Sequence, residues 1–399
     1  MILTYFSIVE WVLIGAVLLL FIVQVYWYSR YLAAPARHMR KQQPAPDEQT
    51  EWPGVSVVLC AHNESYNLSH YLQALLTQDY PTYEVIVVDD GSQDSTRDVI
   101  DSYAVQDERL RFTFVPAEAR VRSTKKLALT LAAKAAKYDY LLLTDADCVP
   151  ESNQWIRSMM SGFRNSATNI VLGFGAYFYE HGTINRLVRY DTLFNGLHYL
   201  GAALCGHPYM GVGRNLAYRK QFFFQSGGFT HLMNNKAGDD DLFVNHAATR
   251  ANTAVVLNRE SYTWSLSKTT LKDWLQQKRR HLSVSPQYKT VTKWRLLFEP
   301  LTRGLFYATV LAIILYQLLT FNWAQLSLDW QLLIQFLPLL MALGLFFVRW
   351  CMQTAIINAS AHRMGQPRFT MSTVLWFDIL LPLISLWMIV IPKRKNNKW

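Results

Sequence analysis

Charge is scarce in this chain: Asp, Glu, Lys and Arg make up 17% of its 399 residues, against roughly 25% in an average soluble protein. Hydrophobic residues reach 51% and aromatics 14%, with 13 Trp, many beside apolar runs as in interfacial belts. That balance argues for contact with a bilayer. Cysteine is also sparse. Cys60, Cys148, Cys205 and Cys351 have neither metal-type spacing nor a paired framework, which is the usage of reduced cytosolic thiols. No repeat of solenoid-type period is present. His231 and His246 lack a metal-site context. Acidic residues are the minority, and the formal charge is +10. The basic residues cluster beside hydrophobic segments, so they suit lipid head groups and phosphate-bearing substrates, not nucleic acid.

Residues 5–28 form one apolar run, near the ~20 residues a spanning helix needs. It lacks the basic start and short core of a cleaved leader, so it reads as a retained anchor. Arg30, Arg37, Arg40 and Lys41 follow. They put the next segment on the cytosolic side, of a bacterial-type inner or plasma membrane, and the N-terminus outside. The expected organisation is a spanning helix at 1–30, a linker at 31–53 with Pro44, Pro46 and Pro53, a soluble domain at 54–290, and a membrane region at 291–399 with two or three spans. Gly304–Phe321, Leu332–Val348 and Thr373–Ile391 are the span candidates. Four full spans would place the basic tail Lys393–Lys398 outside, against the charge rule. The last segment, interrupted by Asp378 and Pro382, could instead be re-entrant or interfacial.

Within the soluble part, Val55–Cys60, Glu84–Val88, Phe112–Val115 and Tyr140–Leu143 are short apolar runs suited to buried parallel strands. Leu68, Leu72, Leu75 and Leu76 recur at helical spacing between the first two, and Lys125–Lys137 is helical between the last two. This alternation predicts an open α/β sheet with ligands at the C-terminal strand ends. Ile184, Leu187, Val188, Phe194 and Leu197 suggest a further amphipathic helix, interfacial or buried.

Four polar clusters fall at or beyond those strand ends: Cys60-Ala61-His62-Asn63-Glu64, Val88-Asp89-Asp90-Gly91-Ser92, Thr144-Asp145-Ala146-Asp147 and Gly238-Asp239-Asp240-Asp241-Leu242. A chain this long yields about one Asp-x-Asp pair by chance, so position carries the meaning. Two carboxylates where a buried strand opens into a crevice offer hard oxygen ligands for Mg²⁺ or Mn²⁺ bridging a diphosphate. A capping Asp in an ordinary turn is the bland alternative.

Together the clusters resemble the inverting family-2 glycosyltransferases, over roughly residues 54–285. More narrowly they resemble the membrane-integrated branch with poly-N-acetylglucosamine, hyaluronan and cellulose synthases and ceramide glucosyltransferase. The resemblance implies a GT-A nucleotide-sugar-binding α/β domain with flanking transmembrane helices. It also implies an activity: transfer from a nucleotide-diphosphate sugar, a UDP-sugar in the family, to a membrane lipid or growing glycan. By the same resemblance Asp90, Cys60 and Glu64 line the nucleotide pocket, and Lys125 stands near the base and diphosphate. Lys126 is divided between that role and a solvated helix face. Asp145 and Asp147 would hold metal and diphosphate, Asp147 the more direct ligand. Gly211–Asn215 matches a glycine-containing segment beside the sugar. The acidic triplet would supply the general base: counting from Gly238 selects Asp240, which is slightly favoured, and counting back from Leu242 selects Asp239. Gln277-Lys278-Arg279-Arg280-His281 resembles the family's Gln-x-x-Arg-Trp element, with Gln277 and Arg280 as substrate contacts. His281 replaces the usual Trp, which puts acceptor handling in question. Polymer synthesis and a single transfer to lipid both remain open, as does a non-catalytic nucleotide-binding scaffold.

Overall fold

Strand positions follow the apolar runs closely. A computed structural model describes residues 6–41, 51–116, 121, 123–233, 237–321 and 334–390. In chain order its strands are β1 (Val55–Ala61), β2 (Tyr83–Asp89), β3 (Leu110–Phe114), β4 (Tyr140–Leu143), β5 (Cys148–Pro150), β6 (Ile170–Leu172), β7 (Gly175–Tyr177), β8 (Leu216–Arg219), β9 (Thr253–Val255) and β10 (Thr263–Ser265). The main sheet has the order β3-β2-β1-β4-β8-β6-β9. Its first four strands are parallel, and β8 runs antiparallel to both β4 and β6. A small second sheet, β5-β10-β7, stands beside it. β1 and β2 are buried on both faces, which is why they read as unbroken apolar runs.

Strand alternation divides the core in two. Val55, Val57, Leu59, Val85, Val87 and Leu142 face one layer, and Val58, Ile86, Val88, Leu141 and Leu143 face the other. The first layer is closed by α3 (Ser65–Leu76) through Leu68, Leu72, Leu75 and Leu76, by α4 (Thr96–Gln106), and by α6 (Trp155–Met160). The second is closed by α5 (Thr124–Ala135) and by α7 (Thr183–Leu204). Leu187, Val188, Leu193 and Leu197 of α7 lie inside this second layer, so the amphipathic stretch is a core helix. The layer continues without a break into the apolar helices: Tyr28, Leu32, Ile357, Phe369 and Phe377 belong to it.

Among the described residues, four helical segments are long and apolar enough to cross a membrane: residues 8–41, 290–320, 337–363 and 371–390. The first comprises α1 (Ile8–Trp27), a π turn at Tyr28–Leu32, and α2 (Ala34–Lys41). Half of the segment read as a linker, 31–53, is thus helical; its Pro44 and Pro46 lie outside the described residues. Pro35 has no N–H to return to Tyr31, and the ladder there widens, Ala33 N–H reaching Tyr28 at 2.9 Å. The remaining segments are α11 (Thr290–Thr320), α12 (Leu337–Arg363) and α13 (Met371–Val390). α13 runs unbroken through Asp378 and Pro382. Asp378 is buried against Arg303 at 2.5 Å and Arg349 at 3.1 Å, with Tyr307 also donating to it, so its charge is met by protein and not by lipid. Leu332 and the Lys393–Lys398 tail lie outside the described residues. The soluble part also contains α8 (Lys220–Gln225), α9 (Asp241–Ala247) and α10 (Leu271–Leu282).

Candidate active site

The parallel strands stop at one edge, and the polar clusters follow them there. Asn63, just past β1, takes a left-handed backbone, φ 56°. Its N–H reaches Ser92 Oγ at 3.0 Å and its Oδ1 accepts from Gln93 N–H at 2.8 Å, tying the first cluster to the second. Asp89 accepts from Ser92 N–H and shapes the turn, whereas Asp90 Oδ2 accepts from Thr124 Oγ1 at 2.6 Å. Burial raises the Asp90 carboxyl. Glu64 accepts from Asn67 at 2.5 Å and is also raised by burial. The Cys60 thiol stands among these groups, and burial pushes it up, so it is a neutral wall.

Lys125, in the first turn of α5, joins two of the acidic clusters. Its ammonium lies 2.8 Å from Asp145 Oδ1 and 3.5 Å from Asp239 Oδ2. Burial works against its charge, but Asp145 and Asp239 together hold its pKa well above the usual lysine value. Asp145 is lowered even though burial opposes this, because Lys125 outweighs it, with Arg214 and Arg280 adding. Asp147 moves the other way, raised by burial and then by Asp145. One ligand atom from each of Asp145, Asp147 and Cys148 lies within 4.8 Å of the others. The Cys148 thiol, raised by burial, donates to Asp147 Oδ1 at 3.4 Å; as a protonated thiol it supports the carboxylate pair.

The acidic triplet enters α9. Gly238 has φ +85°, and a Cβ there would stand 2.8 Å from both Leu242 and Val284, so the turn needs glycine. Asp240 caps the helix: Gly213 N–H donates to its Oδ2 at 2.7 Å and Asp241 N–H to its Oδ1 at 2.8 Å. Asp241 accepts from Tyr288 OH at 2.9 Å. Burial, then Asp239, raises Asp240 to about 6; burial, then Asp240, raises Asp241 to about 7. Asp239 alone of the three points at Lys125, its side chain 14% exposed. Lys126 is fully buried and donates to the Ala237 carbonyl at 2.7 Å, so it anchors this loop and is no solvated face.

Gln277 and Arg280 arrive on α10. Gln277 donates to Tyr177 OH at 3.0 Å. Arg280 is exposed and contributes its charge at Asp145. Arg214 lies over the Tyr177 ring at 4.5 Å and donates to Ser265 Oγ and the Gly175 carbonyl. Sequence reading placed the Gly211–Asn215 segment here but missed Thr124, Tyr177 and the Asp241–Tyr288 pair. No local signal marks them, because each acts through a partner distant in sequence. Asn215 serves the fold, linking Trp155, Phe174 and Ser261.

The description "Glycosyl transferase family 2" matches residues 56–227, and "Glycosyl transferase family group 2" matches 145–391, more than half of the chain. Glycosyltransferase AglE of Haloferax volcanii is 28% identical over 145 residues, 36% of this chain and 46% of that protein. A poly-beta-1,6-N-acetyl-D-glucosamine synthase of Staphylococcus epidermidis is 31% identical over 130 residues, 32% of this chain and 30% of that one. The chain thus spans less than half the length of these relatives. Among solved structures, the mannosyltransferase PcManGT of Pyrobaculum calidifontis, in complex with GDP-Man and Mn²⁺, superposes with a TM-score of 0.55. It is 18% identical, over 89% of this chain and 98% of that one, a likeness of fold. The mixed sheet with its clusters at the strand ends is a GT-A fold, and the chain belongs to glycosyl transferase family group 2.

Proposed function

We propose that this chain transfers the sugar of a nucleotide-diphosphate sugar, a UDP-sugar, to a membrane-associated acceptor with inversion at the anomeric carbon. The observation that carries the reading is the meeting of Asp145 and Asp147 with Asp239 across Lys125. It supports a donor diphosphate on one side of the lysine and an acceptor hydroxyl on the other. Asp147 and Asp145 would hold a divalent cation, Mg²⁺ or Mn²⁺, which offsets negative charge on a departing diphosphate. The fit is good: two carboxylates at a strand end, with a neutral thiol behind them, are hard donors.

The remaining work falls to the chain's own side chains. Asp90, Cys60 and Glu64 line the nucleotide end, and Lys125, with Gln277 and Arg280 of α10, faces the diphosphate. For the base we take Asp239 over Asp240. Both Asp240 oxygens already accept backbone N–H groups, whereas Asp239 turns toward the cleft and can accept the acceptor's proton as its oxygen attacks. The catalytic domain would sit on the cytosolic side of the inner or plasma membrane, beneath its own helices.

Release of nucleoside diphosphate by the full chain in detergent tests this, with Mn²⁺ or Mg²⁺, UDP- and GDP-sugars, and added membrane lipids. Release with one UDP-sugar, lost in Asp147→Ala, is expected. Release only from a GDP-sugar would correct the donor, and donor binding without turnover would favour the scaffold. Product size then separates polymer synthesis from a single glycolipid.

A further inference from the structure

Arg30 closes the apolar run of α1, Arg250 follows α9, and Arg295 stands in the second turn of α11. The fold brings all three to one turn. α7 ends at Leu204, and Cys205, Gly206 and His207 redirect the chain. Cys205 Sγ donates to the Arg30 carbonyl at 3.3 Å. Gly206 has φ +87°, and the Arg250 side chain lies across it, its Cδ 2.9 Å from where a Cβ would stand. Trp27 packs on Phe298 at 5.6 Å between ring centres, and Trp27, Tyr31, Arg295 and Leu296 line one small cavity. Burial, then Arg295, Arg30 and Arg250, lower the His207 imidazole below its usual value. The three arginines bring the fixed positive charge to this turn. Arg37 adds a fourth cation beside them, on the carbonyls of Ser29 and Arg30.

Among the described residues no carboxylate forms an ion pair with Arg30, Arg250 or Arg295. Glu299, the one acid of α11, is paired with Arg303 at 3.2 Å. Like charges gathered at one turn repel one another, and an anion there would relieve the repulsion. The surface beside them is apolar and aromatic. Tyr26 is exposed on α1, and Trp294, Leu297, Phe298 and Leu301 form one exposed face of α11. Both helices run from this point into candidate spans. Cations bordered by exposed Trp and Tyr at span ends match the head-group layer of a bilayer.

We propose that this turn is a binding site for an anionic phospholipid, its phosphate held by Arg30, Arg250 and Arg295 and its chains laid along the α11 face from Trp294 to Leu301. A lipid is the occupant, and not free phosphate, because the apolar face continues directly from the charges. The site is separate from the transfer reaction and does not depend on it.

Native mass spectrometry of the full chain, extracted in detergent and challenged with phosphatidylglycerol or phosphatidylcholine, tests the site. Wild type should retain phosphatidylglycerol at least about ten-fold better, since each basic residue at an anionic surface adds roughly five-fold. The variant R30Q/R250Q/R295Q should lose that preference. As Arg250 is exposed and outside any helix, R250Q alone should keep the melting temperature and lose about five-fold. Equal binding of the two lipids by wild type would overturn the proposal. So would a preference surviving in both variants, or displacement by inorganic phosphate as effective as by lipid.

Discussion

Asp240 and Asp241 bind protons far more readily than ordinary carboxyls, at about 6 and about 7 against a usual 3.8, chiefly through burial. Two opposed pH trends follow. The folded chain holds these protons more tightly than the unfolded chain, so the triplet's contribution to stability declines as pH rises from about 4 through 7. On the proposed mechanism, protons on Asp240 and Asp241 remove negative charge beside the base Asp239, so the transfer rate should fall modestly as pH drops through 7 to 6. Rate and melting temperature measured over pH 5–8 should therefore move in opposite senses, once other titrations are subtracted with an Asp241→Asn variant. At the same scale, Asp239→Asn should lower the transfer rate by roughly 10²–10⁴ with donor binding retained in calorimetry. Asp240→Asn leaves one backbone N–H facing an amide, at about 1–3 kcal/mol of stability, and should slow transfer much less. The reverse order of the two rates would move the base to Asp240.

Among the elements, α7 links the sheet to the apolar helices. Its Gly201 packs on the Tyr31 carbonyl, which receives no N–H from residue 35 because that residue is proline. A Cβ at 201 would stand 2.1 Å from that oxygen. Gly201→Ala must therefore separate α7 from the first apolar segment, destabilising the protein by about 1–3 kcal/mol, despite the better helix propensity of alanine. A melting temperature equal to wild type would refute this contact. The elements themselves were largely readable. The runs at β1, β2 and β4, and the leucines of α3, show their period because each depends on neighbours a few residues away. The short strands β5, β7, β9 and β10 were not, since three residues carry no period and form only where partners meet them.

For the whole molecule, the polar heart of the apolar helices is the test of assembly. Asp378 joins Arg303 of α11 and Arg349 of α12, Gln353 donates to it at 2.7 Å, and Arg349 reaches Gln24 of α1. Four separated segments are thus pinned through one carboxylate. Asp378→Ala would leave Arg349 buried without a counter-charge, a loss of about 3–5 kcal/mol, read as a lowered melting temperature in detergent. Arg349→Met with Asp378→Leu should recover much of it, because Arg303 keeps Glu299. Sequence alone determined the membrane runs, the α/β alternation and the acidic clusters at strand ends, since composition and short-range period encode them. Only the tertiary structure decided which aspartate of the triplet faces Lys125, why Lys126 is buried, where Asp378 finds its cations, and that Arg30, Arg250 and Arg295 share one turn. Each of those depends on contacts between segments far apart in the chain, which no local pattern specifies.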